Sequence, residues 1–274
     1  MADPIDTGTT DLLATLQDGV LTLTLNRPEA RNAMSREMNQ ALQQQLAAAE
    51  FDAAVKCIVL TGAGKGFCAG GDVKGMAARG DGTVGAMTID EAIHRQRANQ
   101  RATAGKLFKM PKPTLAALPG AAAGAGLALA LACDLRIMAS SAIMTTAFAK
   151  VGFSGDYGGS YFLTQLVGTA KARELYYLSD RVSADEALGL GLTNWVCAPE
   201  ALADRSAAIA RRLANGPTLA YRYMKENLNR ALAGAVDDCL DLEATHHIHC
   251  GQTEDHREAT QAFVDKREPV FKGR

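Results

Sequence analysis

Three stretches of this 274-residue chain carry residue types on which chemistry could be built. Residues 119–134 read PGAAAGAGLALALACD: small residues from Gly120 to Gly126, then strong helix formers from Leu127 to Ala132. Small residues ahead of a helix let a ligand lie close to the backbone. The first N–H groups of a helix lack partners within it, and the helix dipole adds partial positive charge there. Such an end suits a developing oxyanion, although a tightly packed core helix has the same pattern. Residues 66–74, GFCAGGDVK, place Gly70 and Gly71 side by side. Adjacent glycines can aim N–H groups at a ligand, or simply turn a loop. Residues 151–160, VGFSGDYGGS, set Asp156 just before an expected helix over 160–167. That aspartate reads as an N-cap, or as a general base or nucleophile in a cleft. In either role the helix end should hold it ionised. His246, His249 and His256 share roughly one helical face. They lack a second ligand pair at metal-site spacing, so a solvated or interface helix is expected there and no metal.

The elements that position these residues follow from periodicity. VLTLTL over 20–25 alternates apolar and polar, a strand pattern, and 57–61, 114–118 and 135–139 are further short strands. Ser35 should cap a helix running to about Ala49, and Thr88 or Asp90 one over 89–109. Residues 79–88 read as a mobile loop. Helices are also expected over 171–179, 183–190, 199–215 and 217–232. Strand and helix alternate, which gives an α/β class with crossover connections. No G-x-G-x-x-G closes the first strand, so a dinucleotide fold is excluded. More charge and more regular leucine and alanine mark a soft boundary near 200, between a core of 1–200 and a helical region of 201–274.

Composition narrows the function. The net charge of −1 gives no bulk footprint for nucleic acid or a membrane, and 5% aromatic residues weaken any base-stacking role. Residues 115–133 carry no charge and are long enough to span a bilayer, but Pro119, the glycines and the low bulk of alanine favour a buried core helix. Six scattered cysteines without a C-x-x-C pair look like reduced thiols of a cytoplasmic enzyme. The first 26 residues contain no Lys or Arg, unlike a secretory or transit signal.

Taken in order, NRPEARNAM (26–34), GFCAGGDVK (66–74), PGAAAGAGLALALACDLRIM (119–138), GFSGDYGGSYFLTQLVG (152–168), SADEALGLGLTNWV (183–196) and AFVDKREPVFKGR (262–274) resemble the crotonase superfamily of enoyl-CoA hydratases and isomerases. The resemblance covers nearly the whole chain. It implies a spiral of repeated ββα units with a C-terminal helical region, homotrimers or dimers of trimers, and an acyl-CoA thioester substrate. Coenzyme A then enters as part of the substrate, with no separate cofactor. By position, the N–H groups of Gly71 and Ala125 would hold the thioester oxygen. The family usually has glycine at the second place. Arg31, Ala69, Asp72, Val73, Lys74, Phe263 and Lys266 match positions near coenzyme A, and residues 75–105 would line the acyl pocket. Hydratases of the family carry two glutamates, where this chain has Ala128 and Phe148. Asp156 instead falls where some isomerase relatives carry an acid/base aspartate. One carboxylate can take a proton at one carbon and return it at another, which suits isomerisation. Hydration would need a water positioned by something else, such as backbone N–H groups near Gly158, or Asp156 acting alone. The alternatives are a hydrolase or dehalogenase-like enzyme with Asp156 as nucleophile, and a non-catalytic acyl-CoA or RNA binder.

Overall fold

The computed structural model describes residues 3–72 and 88–274. Val73, Lys74 and most of the loop expected over 79–88 lie outside them. The alternating segment forms β3 (Val20–Leu25), with Leu21, Leu23 and Leu25 buried and the threonines half-buried between them. β3 pairs antiparallel with β2 (Leu12–Gln17), and β2 with β1 (Asp3–Ile5). Asp18 and Gly19, both at positive φ, make the tight turn between β2 and β3. The sheet continues from β3 with parallel strands β4 (Cys57–Gly62), β6 (Thr114–Leu118), β8 (Leu135–Ala139) and β11 (Trp195–Cys197).

A second, smaller sheet runs β10–β9–β7–β5, from β5 (Gly66–Cys68), β7 (Ala121–Ala123), β9 (Ile143–Thr145) and β10 (Val182–Ser183). Three parallel strands of the large sheet are each followed by a short strand of the small one: β4 by β5, β6 by β7, β8 by β9. A helix comes after each pair, which is the repeated ββα spiral.

The helices pack around this frame. α1 (Arg36–Phe51) starts at Ser35, whose hydroxyl accepts from Met38 N at 3.0 Å, and buries Met38, Leu42 and Leu46. α2 (Ile89–Ala102) opens with a capping box between Thr88 and Glu91. Thr103 interrupts the helix expected over 89–109: its φ of −115° and ψ of −89° end α2, and α3 (Ala104–Lys109) follows. α4 (Ala125–Ala132) is buried at all eight residues, as an apolar helix surrounded by core must be. A Cβ on Gly126 would lie 2.4 Å from Cys68 O, so glycine there lets α4 touch β5. α5 (Gly159–Leu178) is two helical segments meeting at Gly168, which is at φ 74°.

After α6 (Ala184–Gly189), the C-terminal helices are α7 (Leu202–Ala214), α8 (Thr218–Ala231), α9 (Val236–Gly251) and α10 (Glu254–Asp265). α7 packs directly on β3, β4, β6 and β8. Lys225 ties α8 to the core, with Nζ donating to Asp134 Oδ2 (2.9 Å) and Leu107 O (3.0 Å). Among the described residues no helix is long and apolar enough to cross a membrane.

Candidate active site

The start of α4 and the loop after β5 meet at one cavity of about 590 Å³. Gly71, Ala125 and Asp156 all line it. The contact is close: a Cβ on Gly70 would lie 3.3 Å from Ala125 N. Met34 N donates to Gly70 O at 2.8 Å, and a parallel bridge between Met34 and Gly71 holds the loop against the entry to α1.

Ala125 is the first residue of α4, so its N–H has no acceptor inside the helix. The capping Gly124 spends its own N–H on Thr145 O at 3.2 Å and offers no side-chain cap. Outside helices and strands, neither Gly71 N nor Ala125 N has a backbone acceptor among the described residues. Ala125 is not at positive φ, so a Cβ is tolerated where glycine would be usual.

Asp156 sits in the loop before α5. Positive φ at Gly155 (117°), Tyr157 (49°) and Gly158 (77°) folds that loop tightly around it. Tyr157 clamps the loop from both sides. Its N–H donates to Gln100 Oε1 on α2 (2.9 Å), and its hydroxyl accepts from Asn39 Nδ2 on α1 (3.0 Å). The N-cap of α5 is Gly158, so Asp156 lies two residues outside the helix. Its Oδ1 is buried without a hydrogen-bond partner among the described residues. Burial therefore dominates, and the carboxyl is pushed up from its ordinary value of 3.8 to about 6. The carboxyl is still ionised at neutral pH, but burial weakens its charged form where the helix end was expected to favour it. The other carboxylate on the wall, Asp72, is ion-paired to Arg27 at 3.4 Å.

Ala128 and Phe148 are both buried and cannot move a proton. Phe148 stacks on Tyr176, with ring centroids 5.8 Å apart. Of the positions matched to coenzyme A, Arg31 and Ala69 are brought together, with Ala69 N donating to Arg31 O at 3.0 Å, and both are exposed. Asp72 lines the cavity. Phe263 and Lys266 lie exposed at the far end of α10 and do not line it. Val73 and Lys74 are outside the described residues. Of the expected acyl-pocket stretch, Arg95, Gln96 and Asn99 of α2 face the cavity.

Asn39, Gln43, Gln96 and Asn99 were not singled out in the sequence, yet they give the cavity a wall of amides. Their signal was helical spacing, 39 to 43 and 96 to 99, which a solvated face shares. Another cavity of about 400 Å³ lies between β2–β4 and α7 and gathers none of the expected site. The histidine cluster has a structural use. His246 stacks on Tyr223 at 4.3 Å, and its Nδ1 lies 2.6 Å from Asn227 Oδ1. No group of three His, Cys, Asp or Glu is placed to hold a metal among the described residues.

Residues 15–274 match the family model described as enoyl-CoA hydratase/isomerase. The chain is 38% identical over 263 residues to 1,2-epoxyphenylacetyl-CoA isomerase of Escherichia coli, covering 96% of this chain and 98% of that protein. It is 32% identical to short-chain-enoyl-CoA hydratase of Clostridium acetobutylicum, over 90% of this chain and 92% of that one. Its fold superposes on the crystal structure of an enoyl-CoA hydratase from Polaromonas sp. JS666 with a TM-score of 0.88 at 32% identity, covering 95% and 99% of the two chains.

Proposed function

The chain belongs to the enoyl-CoA hydratase/isomerase family, and on that premise we propose that Gly71 and Ala125 N–H groups hold the thioester oxygen of an enoyl-CoA while Asp156 moves the proton. The observation that carries this reading is that all three residues line a single cavity. Removing a proton next to a thioester, or one vinylogous to it, puts negative charge on the carbonyl oxygen. Two aimed N–H donors stabilise that enolate, each by roughly 3–4 kcal/mol, and the dipole of α4 adds to them.

Asp156 suits the base role because its carboxyl is raised to about 6. It is ionised at neutral pH, yet holds a captured proton more firmly than an ordinary aspartate would. In isomerisation it takes a proton from one end of the three-carbon unit and returns it at the other. The electron pair passes through the dienolate, and nothing else is consumed.

Arg31, Ala69, Asp72, Val73 and Lys74 are proposed to contact coenzyme A, with Phe263 and Lys266 closing over it from the terminal helix. The contact between Ala69 and Arg31 supports one part of that surface. A homotrimer or a dimer of trimers is proposed as the assembly, through the helical region of residues 201–274. Support comes from the exposed apolar side chains Leu228, Val236, Leu240 and Ile248 on α8 and α9. A cytoplasmic location is proposed on the strength of six free cysteines.

The test is Asp156→Asn against 2-enoyl-, 3-enoyl- and aryl-CoA thioesters, followed by mass spectrometry. Loss of a positioned acid/base should lower kcat by about 10²–10⁴. Turnover unchanged by the substitution would refute the assignment.

A further inference from the structure

The cavity that holds Asp156 is walled unlike a pocket for a hydrocarbon. Among the described residues its only apolar surfaces are Met34, Ala125 and the ring of Tyr157. Pockets for apolar groups are lined chiefly by aliphatic and aromatic side chains, with a few polar groups to orient the ligand. Here four amides line the space from two sides, Asn39 and Gln43 from α1 and Gln96 and Asn99 from α2. The spacings of four and three residues put each pair on one face of its helix.

The hydrogen bonds of these amides within the protein are incomplete. Asn39 spends Nδ2 on the Tyr157 hydroxyl at 3.0 Å, and its Oδ1 is buried without a partner among the described residues. Gln43 Nε2 donates to Asn99 Oδ1 at 3.3 Å. Among the described residues that is the one side-chain bond of either amide, and Gln96 makes none. Buried polar groups are satisfied almost without exception, so the set points to a ligand that supplies the missing partners. Asn39 Oδ1 calls for a donor, and the free N–H groups of Gln96 and Asn99 call for an acceptor. A hydroxyl is both. A carboxylate only accepts, and a hydrocarbon does neither. α1 also sets the distance. Its entry at Met34 bridges to Gly71, Asn39 touches Tyr157 next to Asp156, and Gln43 stands one turn, about 6 Å, further on. The amides therefore begin beside the carboxylate and continue away from the N–H pair.

We propose that this wall selects an acyl-CoA whose acyl group carries a hydroxyl beyond the carbons that exchange protons with Asp156. The inference rests on the enolate site proposed above and names the substrate class that site serves. The hydroxyl donates to an amide oxygen of α1 and accepts an amide N–H of α2. The four amides are specificity residues: they hold the far end of the acyl group and move no proton. An unsubstituted chain of the same length strips water from them and returns no hydrogen bond. A site built to bond a hydroxyl discriminates strongly against the analogue that lacks one. Arg36 and Arg95 line the same cavity but are exposed, where solvent and salt screen their attraction for a carboxylate.

The experiment compares 3-enoyl-CoA esters of six to eight carbons that end in a hydroxyl, a methyl or a carboxylate. Double-bond shift and deuterium uptake in D₂O give kcat/KM for each ester. Calorimetry with the saturated counterparts, which cannot react, gives Kd. The unaltered protein should favour the hydroxyl ester over the methyl ester by at least about tenfold in both. Gln43→Leu combined with Asn99→Leu replaces both members of a hydrogen-bonded pair by apolar groups, so the fold should hold, and the preference should disappear or reverse. Gln96→Leu breaks no bond within the protein among the described residues and should lower the same ratio, whether or not the double variant folds. Asn39→Ala loosens the Tyr157 clamp and slows every ester, so its effect is read from the ratio alone, which should also fall. Equal treatment of hydroxyl and methyl esters would overturn the inference. So would a preference for the carboxylate, or a ratio that none of these variants changes. No turnover of any ester with the Kd preference intact would remove the proton-transfer reading and support this one, whereas no binding of any ester would remove both.

Discussion

Asp156→Asn should stabilise the protein at neutral pH while disabling it, and the stability gain should disappear in acid. The folded carboxyl titrates near 6 against an ordinary 3.8, because burial penalises its charged form. A raised carboxyl makes the folded state bind more protons than the unfolded one between those values. Stability is therefore greatest below about pH 4, falls as pH rises through about 6, and is flat above. The shift of roughly two units corresponds at ~1.4 kcal/mol each to on the order of 3 kcal/mol as an upper limit. The side chain keeps some solvent contact, so roughly 1–2 kcal/mol is the expected size. Asparagine carries no charge to desolvate and escapes that penalty at every pH. The assay is urea unfolding of both proteins at one fixed concentration from pH 4 to 8, comparing midpoints at equal slope. Subtracting the pH 4 difference from the pH 7.5 difference cancels whatever asparagine does to packing. A difference that does not change with pH, or that grows toward acid, would refute the account of Asp156 as a carboxyl raised by burial. Catalysis in the same range should show a limb in kcat/KM that rises through about pH 6 as the base ionises.

Ala125→Pro removes one proposed oxyanion donor at a position where proline suits the first turn of a helix. It should reduce kcat about 10²–10³-fold with little change in circular dichroism, and retained activity would rule out Ala125 N–H as a donor. Gly126→Ala would push a Cβ to 2.4 Å from Cys68 O and should destabilise by about 1–3 kcal/mol or more, read by urea unfolding. Lys225→Met leaves Asp134 without its buried cation. Asp134 Oδ2 still accepts from Thr114 N and Oγ1, so the loss should fall at the low end of the buried-pair range, about 3 kcal/mol by the same assay.

Much of the frame could be read in advance where a local rule and the tertiary structure agree. Ser35, Thr88 and Ser183 cap helices through their own side chains, and the apolar alternation of residues 20–25 needs only one buried face. The strands of the small sheet could not be read. β5, β7 and β9 have three residues each, too few for a period, and they form only because each follows a longer strand of the large sheet. The helix expected over 89–109 breaks at Thr103, whose backbone leaves the helical region while its hydroxyl donates back to Asn99 O at 2.8 Å, a local feature that no periodicity reveals.

The candidate site divides along the same line. Gly71, Ala125 and Asp156 could be placed from glycine spacing and resemblance, since small residues announce where backbone must come close. The ionisation of Asp156 could not, because it depends on where the chain around it folds. Two residues outside the helix, and with Oδ1 buried without a donor, the carboxylate receives little help from the dipole expected to hold it ionised. Asp156 Oδ1 lacks the hydrogen bonds that would make its burial comfortable, and a carboxylate so placed is a stronger base than a satisfied one. The property that makes Asp156 suitable for proton transfer is therefore the one that weakens the fold at neutral pH. Satisfying it with an engineered donor should raise stability and lower turnover together.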